Sequence, residues 1–384
     1  MVSENLIPKS EFETRIKKTQ KKAEEKGLDA LLIFSSFIER EGNVGYLTNY
    51  HSAFPPCASD DKRKGIGFSC FLLPVNDEGI LIVDSVTADM PLYGIREVKK
   101  GLDVLSNIVK AFKELRLEEK HVGIVGADVL PVKFYNFLKE KFSKTVFESV
   151  DYIVENQRMI KSESEIKVMK KAAEVADEGL KRFFEITKED MSEYEVALEV
   201  EKACFEAGAE YLARIRVHSG EWSATTARWP FSTQKKIRKG EVVLLDLVGW
   251  YNHYAFDVGR VLVVGKPDKK QKEVFETAVQ AEEAEINAVK PGLKAEELSA
   301  VAEKFLAKTD FKDYASPLGH GIGLEVVENP WIMRGNKTVL KPNMVLCIEP
   351  GIMVPGFMGV RIEDIVVVTK TGFRYLTETP KIPW

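Results

Sequence analysis

Histidine and cysteine are both scarce in this sequence, with five and four residues among 384. The cysteines show no Cys-x-x-Cys spacing, which excludes the paired-cysteine motifs. No apolar run approaches the roughly 18 residues that a membrane helix needs, so no membrane span is expected. The first residues are too charged for a signal peptide, and we therefore expect a reduced, cytoplasmic location.

An excess of positive charge is also absent. The formal net charge of -4 at pH 7 argues against a dedicated nucleic-acid-binding protein, which would normally show a basic patch. A hydrophobic content of 45% and a charged content of 30% are typical of a globular protein. Because one hydrophobic core rarely grows beyond about 250 to 300 residues, a chain of this length predicts two domains.

Apolar runs alternate with helical stretches over the first 150 residues, which predicts an α/β layer. The predicted strands cover residues 30–34, 68–73, 80–83 and 122–125, and the predicted helices cover residues 102–115 and 132–142. Capping boxes predict further helix starts at Ser10/Glu13, Ser162/Glu165 and Ser192/Glu195. The pattern changes near residue 154, so we predict one domain over residues 1–152 and a second over residues 158–384.

Two acids interrupt apolar, strand-like sequence in the second half of the chain. Asp246 follows the apolar residues 242–245, and Asp257 lies eleven positions later. Buried carboxylates are usually paired, hydrogen-bonded or bound to metal, because uncompensated ones are costly. A turn near residues 251–253 would form a hairpin, across which we expect the two acids to meet.

Three further residues extend this pattern. Glu349 and Glu363, fourteen positions apart, repeat the two-strand layout, and Pro-Gly pairs break the chain between them. His320 lies between glycines, and we expect it in a loop whose backbone can approach an ion closely. Four carboxylates and one imidazole form a set that suits two divalent cations.

With these motifs in view, the sequence resembles the pita-bread metallopeptidases, which include Xaa-Pro dipeptidase (prolidase), aminopeptidase P, methionine aminopeptidase and the metal-free creatinase. The matching segments are LLDLVGWYNHYAFD, GHGIGLEVVENP, IEPGIM and GVRIED, with spacing close to that of prolidase. The resemblance implies an α/β fold of the α+β type. A creatinase-like N-terminal α/β domain would precede a pita-bread catalytic domain with a curved, mostly antiparallel sheet.

The resemblance also implies roles for the five donors. Asp246 would chelate one metal ion, Asp257 and Glu363 would bridge the two ions, and His320 with Glu349 would complete the second. The family uses Mn, Co, Zn or Fe, and four oxygen donors with one nitrogen donor suit Mn or Co.

Three residues are candidates for a catalytic role. Glu349 is the candidate to take a proton from the attacking water and hand it to the leaving nitrogen. Arg361 lies two residues before Glu363 and could orient that bridging carboxylate. His218 precedes the segment in which the family builds its substrate groove, and it could replace a missing hydrogen-bond donor.

The sequence departs from the family at four positions. Peptidases of the family usually carry histidines where this chain has Val327, Ser316 and Trp229, and these imidazoles donate hydrogen bonds to the tetrahedral intermediate. Dipeptidases tend to hold the substrate's carboxylate with an arginine where this chain has Trp331. Other possible carboxylate anchors are Arg214, Arg216 and Arg228.

The preferred hypothesis is therefore a dinuclear metal-dependent peptidase similar to Xaa-Pro dipeptidase, acting on a small peptide and forming a homodimer. One alternative is a metal-dependent hydrolase of a non-peptide amide or cyclic amidine in the same fold. A second alternative is a non-catalytic protein that retains the metal.

Overall fold

The structure is a computed structural model that describes residues 6–37, 40–52, 54–58, 60, 62–84, 91–225, 228–316 and 318–381. The chain divides into two compact units, Met1–Arg158 and Met159–Trp384. Residues 153–157, which lie between the two predicted domains, belong to the last helix of the first unit.

The first unit contains a six-stranded mixed sheet. Its strands are β1 (Ala30–Ser36), β2 (Phe68–Pro74), β3 (Gly79–Val83), β4 (Ile95–Lys100), β5 (His121–Val125) and β6 (Val146–Ser149). Its helices are α1 (Lys9–Glu25), α2 (Gly42–Thr48), α3 (Val104–Glu114), α4 (Val132–Lys141) and α5 (Tyr152–Arg158). The strand order is β4-β3-β2-β1-β5-β6, and β1 pairs antiparallel with β2 and parallel with β5.

The four strands and two helices predicted for this unit are present. They bury a core in which Leu32 and Phe34 of β1 and Phe112 of α3 are fully enclosed. The helix start predicted at Ser10 is wrong, because α1 already begins at Lys9 and no side chain caps it. Pro8 precedes the helix with φ of -69°, and this ring-fixed angle suits entry into a helix.

The second unit has helices on antiparallel sheets. Its helices are α6 (Glu163–Ile186), α7 (Glu193–Glu206), α8 (Lys269–Ala288) and α9 (Ala295–Leu306). Its longer strands are β7 (Tyr211–Ser219), β8 (Val242–Tyr251) and β9 (Tyr254–Val263). Shorter strands follow: β10 (Ala315–Ser316), β11 (Gly319–Gly321), β12 (Glu328–Trp331), β13 (Val345–Ile348), β14 (Gly351–Val354), β15 (Met358–Arg361), β16 (Asp364–Val368) and β17 (Phe373–Tyr375).

The capping boxes predicted for α6 and α7 are confirmed. In α6, the Ser162 hydroxyl accepts a hydrogen bond from the backbone N–H of Glu165, and the Glu165 carboxylate accepts one from the Ser162 N–H. Ser192 and Glu195 repeat this exchange in α7. Each box satisfies backbone donors that a helix start leaves unpaired.

Strands β7, β8 and β9 form a sheet in that order, and α6 and α7 pack against it. The predicted hairpin is confirmed, because β8 and β9 pair antiparallel along their whole length. Asn252 and His253 close it with φ of 48° and 65°. Two consecutive positive φ angles characterise the two-residue turn that matches the twist of paired strands.

The remaining strands form two small sheets, with orders β12-β11-β13-β16-β17 and β10-β14-β15. An apolar core joins the β7-β8-β9 sheet to helix α8 and to β14 and β15, through residues such as Leu244, Phe275, Ile352 and Val360. The mostly antiparallel arrangement that the family resemblance implies is therefore present in this unit.

Candidate metal centre

Two of the predicted donors lie on the β8–β9 hairpin. Asp246 is opposite Gly259, and Asp257 is opposite Val248. Residues that are opposite each other, or two apart on one strand, point to the same face of a sheet. The two carboxylates therefore share a face, offset diagonally across the hairpin, and both residues are buried.

Two more predicted donors lie where the pairing of neighbouring strands is interrupted. β13 pairs with β16 as far as Ile348 and Asp364, and the pairing resumes in the same register between β14 and β15. Glu349 and Glu363 lie in the gap, at the same level of the two chain segments. The gap thus brings together two buried carboxylates that are fourteen residues apart in sequence.

Gly259 connects the hairpin to this gap. Its N–H donates to the carbonyl oxygen of Glu363 at 3.4 Å, and its carbonyl oxygen accepts from the Glu363 N–H at 3.1 Å. A Cβ on residue 259 would lie 3.2 Å from the Glu363 Cβ and 3.5 Å from its Oε2. Glycine therefore leaves the space into which the Glu363 side chain extends, beside Asp246.

His320 lies on strand β11, so the prediction that it lies in a loop is wrong. Gly319 and Gly321 pair with β13, and His320 is opposite Cys347. A Cβ on Gly319 would lie 2.9 Å from the Cys347 carbonyl oxygen, and one on Gly321 would lie 2.4 Å from that of Asn329. The glycines are needed because β11 is inserted tightly between two strands.

The imidazole of His320 is oriented toward the acids. Its Nδ1 lies 2.9 Å from the carbonyl oxygen of Gly321, so Nδ1 carries the proton and Nε2 keeps its lone pair. Nε2 lies 3.5 Å from Oε1 of Glu349 and 3.9 Å from Oδ2 of Asp257. In this tautomer Nε2 is the ring nitrogen that could bind a metal ion, and it faces the carboxylates of Glu349 and Asp257.

Arg361 contacts different acids from the one predicted. Its Nη1 lies 3.3 Å from Oδ2 of Asp246 and 3.1 Å from Oε2 of Glu349, whereas the prediction paired it with Glu363. Burial disfavours its charge, but Glu349 and Asp246 more than compensate and raise the pKa of Arg361. Arg216, which the sequence indicated only as a possible carboxylate anchor, lies 3.1 Å from the same Asp246 oxygen.

The Glu363 carboxylate is the least compensated group of the centre. Both of its carboxylate oxygens are buried and have no hydrogen-bond partner among the described residues. Burial, followed by Asp257 and Glu349, raises the pKa of Glu363 well above its usual range, and burial with Asp246 does the same for Asp257. Buried carboxylates without donors fit a bound cation, and this donor set suits divalent metal ions.

Cys347 is a neighbour of the centre that the sequence analysis did not single out. A nitrogen of His320, the Cys347 sulfur and an oxygen of Glu363 all lie within 4.8 Å of one another. Burial, and then the negative charge of Glu363, raises the pKa of the Cys347 thiol, so it stays protonated. Its position opposite His320 depends on the register of β11 and β13, which cannot be read from the sequence.

His218 lies on β7, two residues from Arg216, and is fully buried. It is opposite Leu244, which belongs to the apolar core against α8. Burial, and then the charges of Arg216 and Arg228, lowers the pKa of His218, so the ring is neutral. A catalytic hydrogen bond from His218 stays a prediction.

The four positions at which the sequence departs from the family are all in the described part of the chain. Ser316 is on β10 and Val327 precedes β12, and both are half-buried. Trp331 is 42% exposed, and its ring centroid lies 6.0 Å from that of His320. Trp229 is 81% exposed and packs edge-on against Phe231.

Antiparallel strands thus bring four carboxylates and an imidazole together in the interior, and one of these carboxylates, that of Glu363, has no hydrogen-bond partner among the described residues. Such a set of donors suits divalent metal ions of the kind that hydrolases use. Two family models match the chain. The model for metallopeptidase family M24 matches residues 167–370, and the creatinase/prolidase N-terminal domain matches residues 15–160. The chain belongs to metallopeptidase family M24.

Individual relatives agree with this assignment. The Xaa-Pro dipeptidase of Pyrococcus horikoshii is 38% identical over 263 residues, which cover 68% of this chain and 74% of the relative. The Xaa-Pro dipeptidase of Pyrococcus furiosus is 36% identical over 310 residues, covering 79% and 88%. The solved prolidase from P. horikoshii matches with a TM-score of 0.84 at 33% identity, covering 97% of this chain and 100% of that one.

The predicted enzyme class is thereby confirmed: the protein is a metal-dependent peptidase that cleaves a peptide C–N bond. Membership of the family implies divalent metal ions. Among the residues that the structure describes, we find no helix that is both long and apolar enough to cross a membrane.

Proposed function

We propose that the protein is a dinuclear dipeptidase that hydrolyses Xaa-Pro dipeptides. The observation that supports the metal site is the Glu363 carboxylate, which is buried beside three other acids and a histidine and has no hydrogen-bond partner among the described residues. The substrate class is supported by the relatives from P. horikoshii and P. furiosus, both of which are Xaa-Pro dipeptidases.

In this proposal two divalent cations, Mn or Co, occupy the centre, with Zn or Fe as the other choices. Asp246, Asp257, His320, Glu349 and Glu363 would hold these cations. Bound cations of this kind polarise a carbonyl group and lower the pKa of a water molecule. The fixed tautomer of His320 supports its role, because Nε2 is the nitrogen directed at Glu349 and Asp257.

The chain's own residues would move the proton. Glu349 accepts a proton from the attacking water and passes it to the leaving nitrogen. Arg361 holds Glu349 in place by the 3.1 Å contact to its Oε2 and ties it to Asp246. Because Arg361 stays charged while it is buried between these acids, it would fix the geometry and offset their mutual repulsion.

The proposal also includes a cytoplasmic homodimer. The four cysteines are free thiols, and three of them are buried, as expected in a reducing compartment. Sedimentation equilibrium of the purified protein would give the mass, and a species of twice the 43.3 kDa chain is expected.

The test of this function is a substrate screen with defined metal content. Protein stripped with a chelator is expected to be inactive, and addition of Mn or Co should restore hydrolysis of Xaa-Pro dipeptides in preference to longer peptides. The exposed acid Glu273 on α8 offers a control, since Glu273→Ala should restore with metal as the wild type does. Activity that survives complete metal removal would contradict the proposal.

Hydrolysis of a non-peptide amide or cyclic amidine is a second candidate, favoured by one observation. Val327, Ser316 and Trp229 occupy positions where the resembling peptidases carry imidazole donors, and one such donor is typically worth about a hundred- to a thousandfold in rate. A screen in which cyclic amides are turned over faster than Xaa-Pro dipeptides would favour this candidate. Under the first candidate, Val327→His should raise the rate on Xaa-Pro dipeptides.

A further inference from the structure

Arg214 and Arg216 lie two residues apart on β7 and share one face of the β7-β8-β9 sheet. Arg216 is opposite Asp246. Arg214 is opposite Val248, which in turn is opposite Asp257 on the next strand. Arg216 therefore lies in the same cross-strand row as Asp246, and Arg214 lies in the same row as Asp257. All four side chains are on one face of the sheet.

The two guanidinium groups differ in their surroundings. Arg216 is buried, and its Nη1 lies 3.1 Å from Oδ2 of Asp246. Arg214 is half-buried and, among the residues described by the structure, has neither an ion-pair nor a hydrogen-bond partner. Burial and the nearby acids raise the pKa of Asp257, and the positive charge of Arg214 opposes that rise. Arg214 is therefore a cation beside the metal centre with its hydrogen-bond donors available.

Two other arginines that could hold a carboxylate, Arg228 and Arg334, already have partners. Arg228 lies over the ring of Trp222 at 4.9 Å, and its Nη1 is 3.3 Å from Oε2 of Glu193. Arg334 is highly exposed and pairs with Glu303 at 2.9 Å. Neither guanidinium therefore has both of its terminal N–H groups available to a ligand at the metal centre.

Trp331 explains why an anchor is needed on β7. It is opposite His320, at the position where the resembling dipeptidases carry a carboxylate-binding arginine. An indole ring packs well against an apolar ring such as that of proline, but it carries no charge with which to bind a carboxylate. Recognition of a charged substrate terminus must therefore come from another residue.

We propose that Arg214 binds the C-terminal carboxylate of the dipeptide substrate, an inference that rests on the proposed function. A planar guanidinium can hold a carboxylate by two parallel hydrogen bonds. Neighbouring strands are about 4.8 Å apart, so the backbone of Arg214 is roughly 10 Å from that of Asp257. The carboxylate of a dipeptide lies one residue, at most about 3.6 Å of chain, beyond the scissile bond, which places it within that interval.

The test compares an Xaa-Pro dipeptide with the same dipeptide amidated at its C-terminus, using Mn-loaded protein. Arg214→Gln is expected to lower kcat/KM for the free acid about 10- to 100-fold, mainly through KM, and to change kcat/KM for the amide less than about threefold. Arg214→Lys should recover part of the loss, because it restores the charge without the planar fork. Arg334→Gln, at an exposed arginine, is the control and should leave kcat/KM unchanged for both substrates.

An equal loss on the acid and the amide would overturn the proposal, since it would mean that Arg214 acts on the metal centre and not on the carboxylate. An unchanged kcat/KM for the acid would overturn it too.

Calorimetric titration with proline, compared with prolinamide, gives a readout that does not depend on turnover. Wild-type protein that binds proline through Arg214 but cleaves no dipeptide would contradict the proposed function and leave the anchor intact. Equal proline binding by wild type and Arg214→Gln would contradict the anchor.

Discussion

Two buried polar regions meet at consecutive residues, Glu363 and Asp364, and satisfy their charges in opposite ways. The donor cluster comprises Asp246, Asp257, His320, Glu349 and Glu363. The Arg260 network comprises Arg260, Glu282, Asp364, Thr377 and Lys381. Glu363 and Asp364 are 1% and 2% exposed, so burial does not distinguish them, and the difference lies in the partners.

In the Arg260 network, Asp364 has several donors. Its Oδ1 accepts hydrogen bonds from Nη2 of Arg260 and from the hydroxyl of Thr377, each at 2.6 Å, and its Oδ2 lies 3.6 Å from Nζ of Lys381. Arg260 also donates to the carbonyl oxygens of Gly259 and Glu363. Although burial raises the pKa of Asp364, Arg260 and Lys381 outweigh it, and the net pKa is lowered.

The carboxylate of Glu363 lacks such donors within the described chain, and its pKa moves in the opposite direction. A buried charge that is paired and hydrogen-bonded can contribute to a stable fold, whereas one left unpaired lowers stability until a ligand compensates it. The Arg260 network therefore stabilises the backbone next to Glu363, and under our proposal bound cations would compensate the donor cluster.

The largest expected effect separates the two regions by activity. Glu363→Ala or Asp257→Ala should remove at least one bound metal ion and lower turnover by about a thousandfold or more, because each is a proposed ligand of both ions. The metal content by mass spectrometry and the rate on an Xaa-Pro dipeptide provide the measurements. Full activity in either variant would show that the donor cluster is not the metal site.

The second expected effect separates them by stability. Arg260→Met leaves Asp364 buried without its main partner, and it should lower the free energy of unfolding by about 3 to 5 kcal/mol. Glu363→Gln in metal-free protein should cause no loss and a gain of about 1 kcal/mol, since it removes a carboxyl group whose charged form is disfavoured by burial and by the neighbouring acids. Urea denaturation of both variants measures this contrast, and equal destabilisation would show that the two regions are alike.

The smallest expected effect is a pH dependence of the Arg260 network. Burial lowers the pKa of Lys381, but Glu282 and Asp364 outweigh it and raise the pKa overall. A raised pKa for a cation means stability that is fully present below the unfolded value of about 10.4 and lost as pH rises through the folded value. Lys381→Met should therefore destabilise by about 1 kcal/mol near pH 8, and less above pH 10.4.

Urea titrations from pH 8 to 11 would follow this difference between wild type and variant. Lys370→Met, at an exposed lysine, is the matched control and should leave the stability unchanged across the range. A penalty for Lys381→Met that stays constant above pH 10.4 would indicate lost packing and no charge pairing.

Local patterns in the sequence predicted the framework well. The hairpin of β8 and β9 follows from two apolar runs and a short turn, and the starts of α6 and α7 follow from side chains three residues apart. The edge strands β4 and β6 were missed because all of their residues are partly or fully exposed, so neither shows an apolar run. The strand assignment of His320 was missed because glycines usually indicate a turn, whereas here they permit close strand packing.

The donor cluster was predicted as a set of residues, but its contacts were not. Arg361 pairs with Asp246, 115 residues away, and Arg260 reaches Asp364, 104 residues away. Such pairs depend on how separate sheets pack against each other, and no spacing in the sequence specifies that packing. The availability of Arg214 follows in the same way, since it depends on Arg216 pairing with Asp246 in the strand register.

The most direct measurement is anomalous diffraction from crystals of the protein loaded with Mn. Our account predicts two anomalous peaks, both within coordination distance of Asp257 and Glu363, with Asp246 on one side and His320 and Glu349 on the other. A single peak that leaves Glu363 without a metal contact, or ions bound outside the five donors, would contradict it.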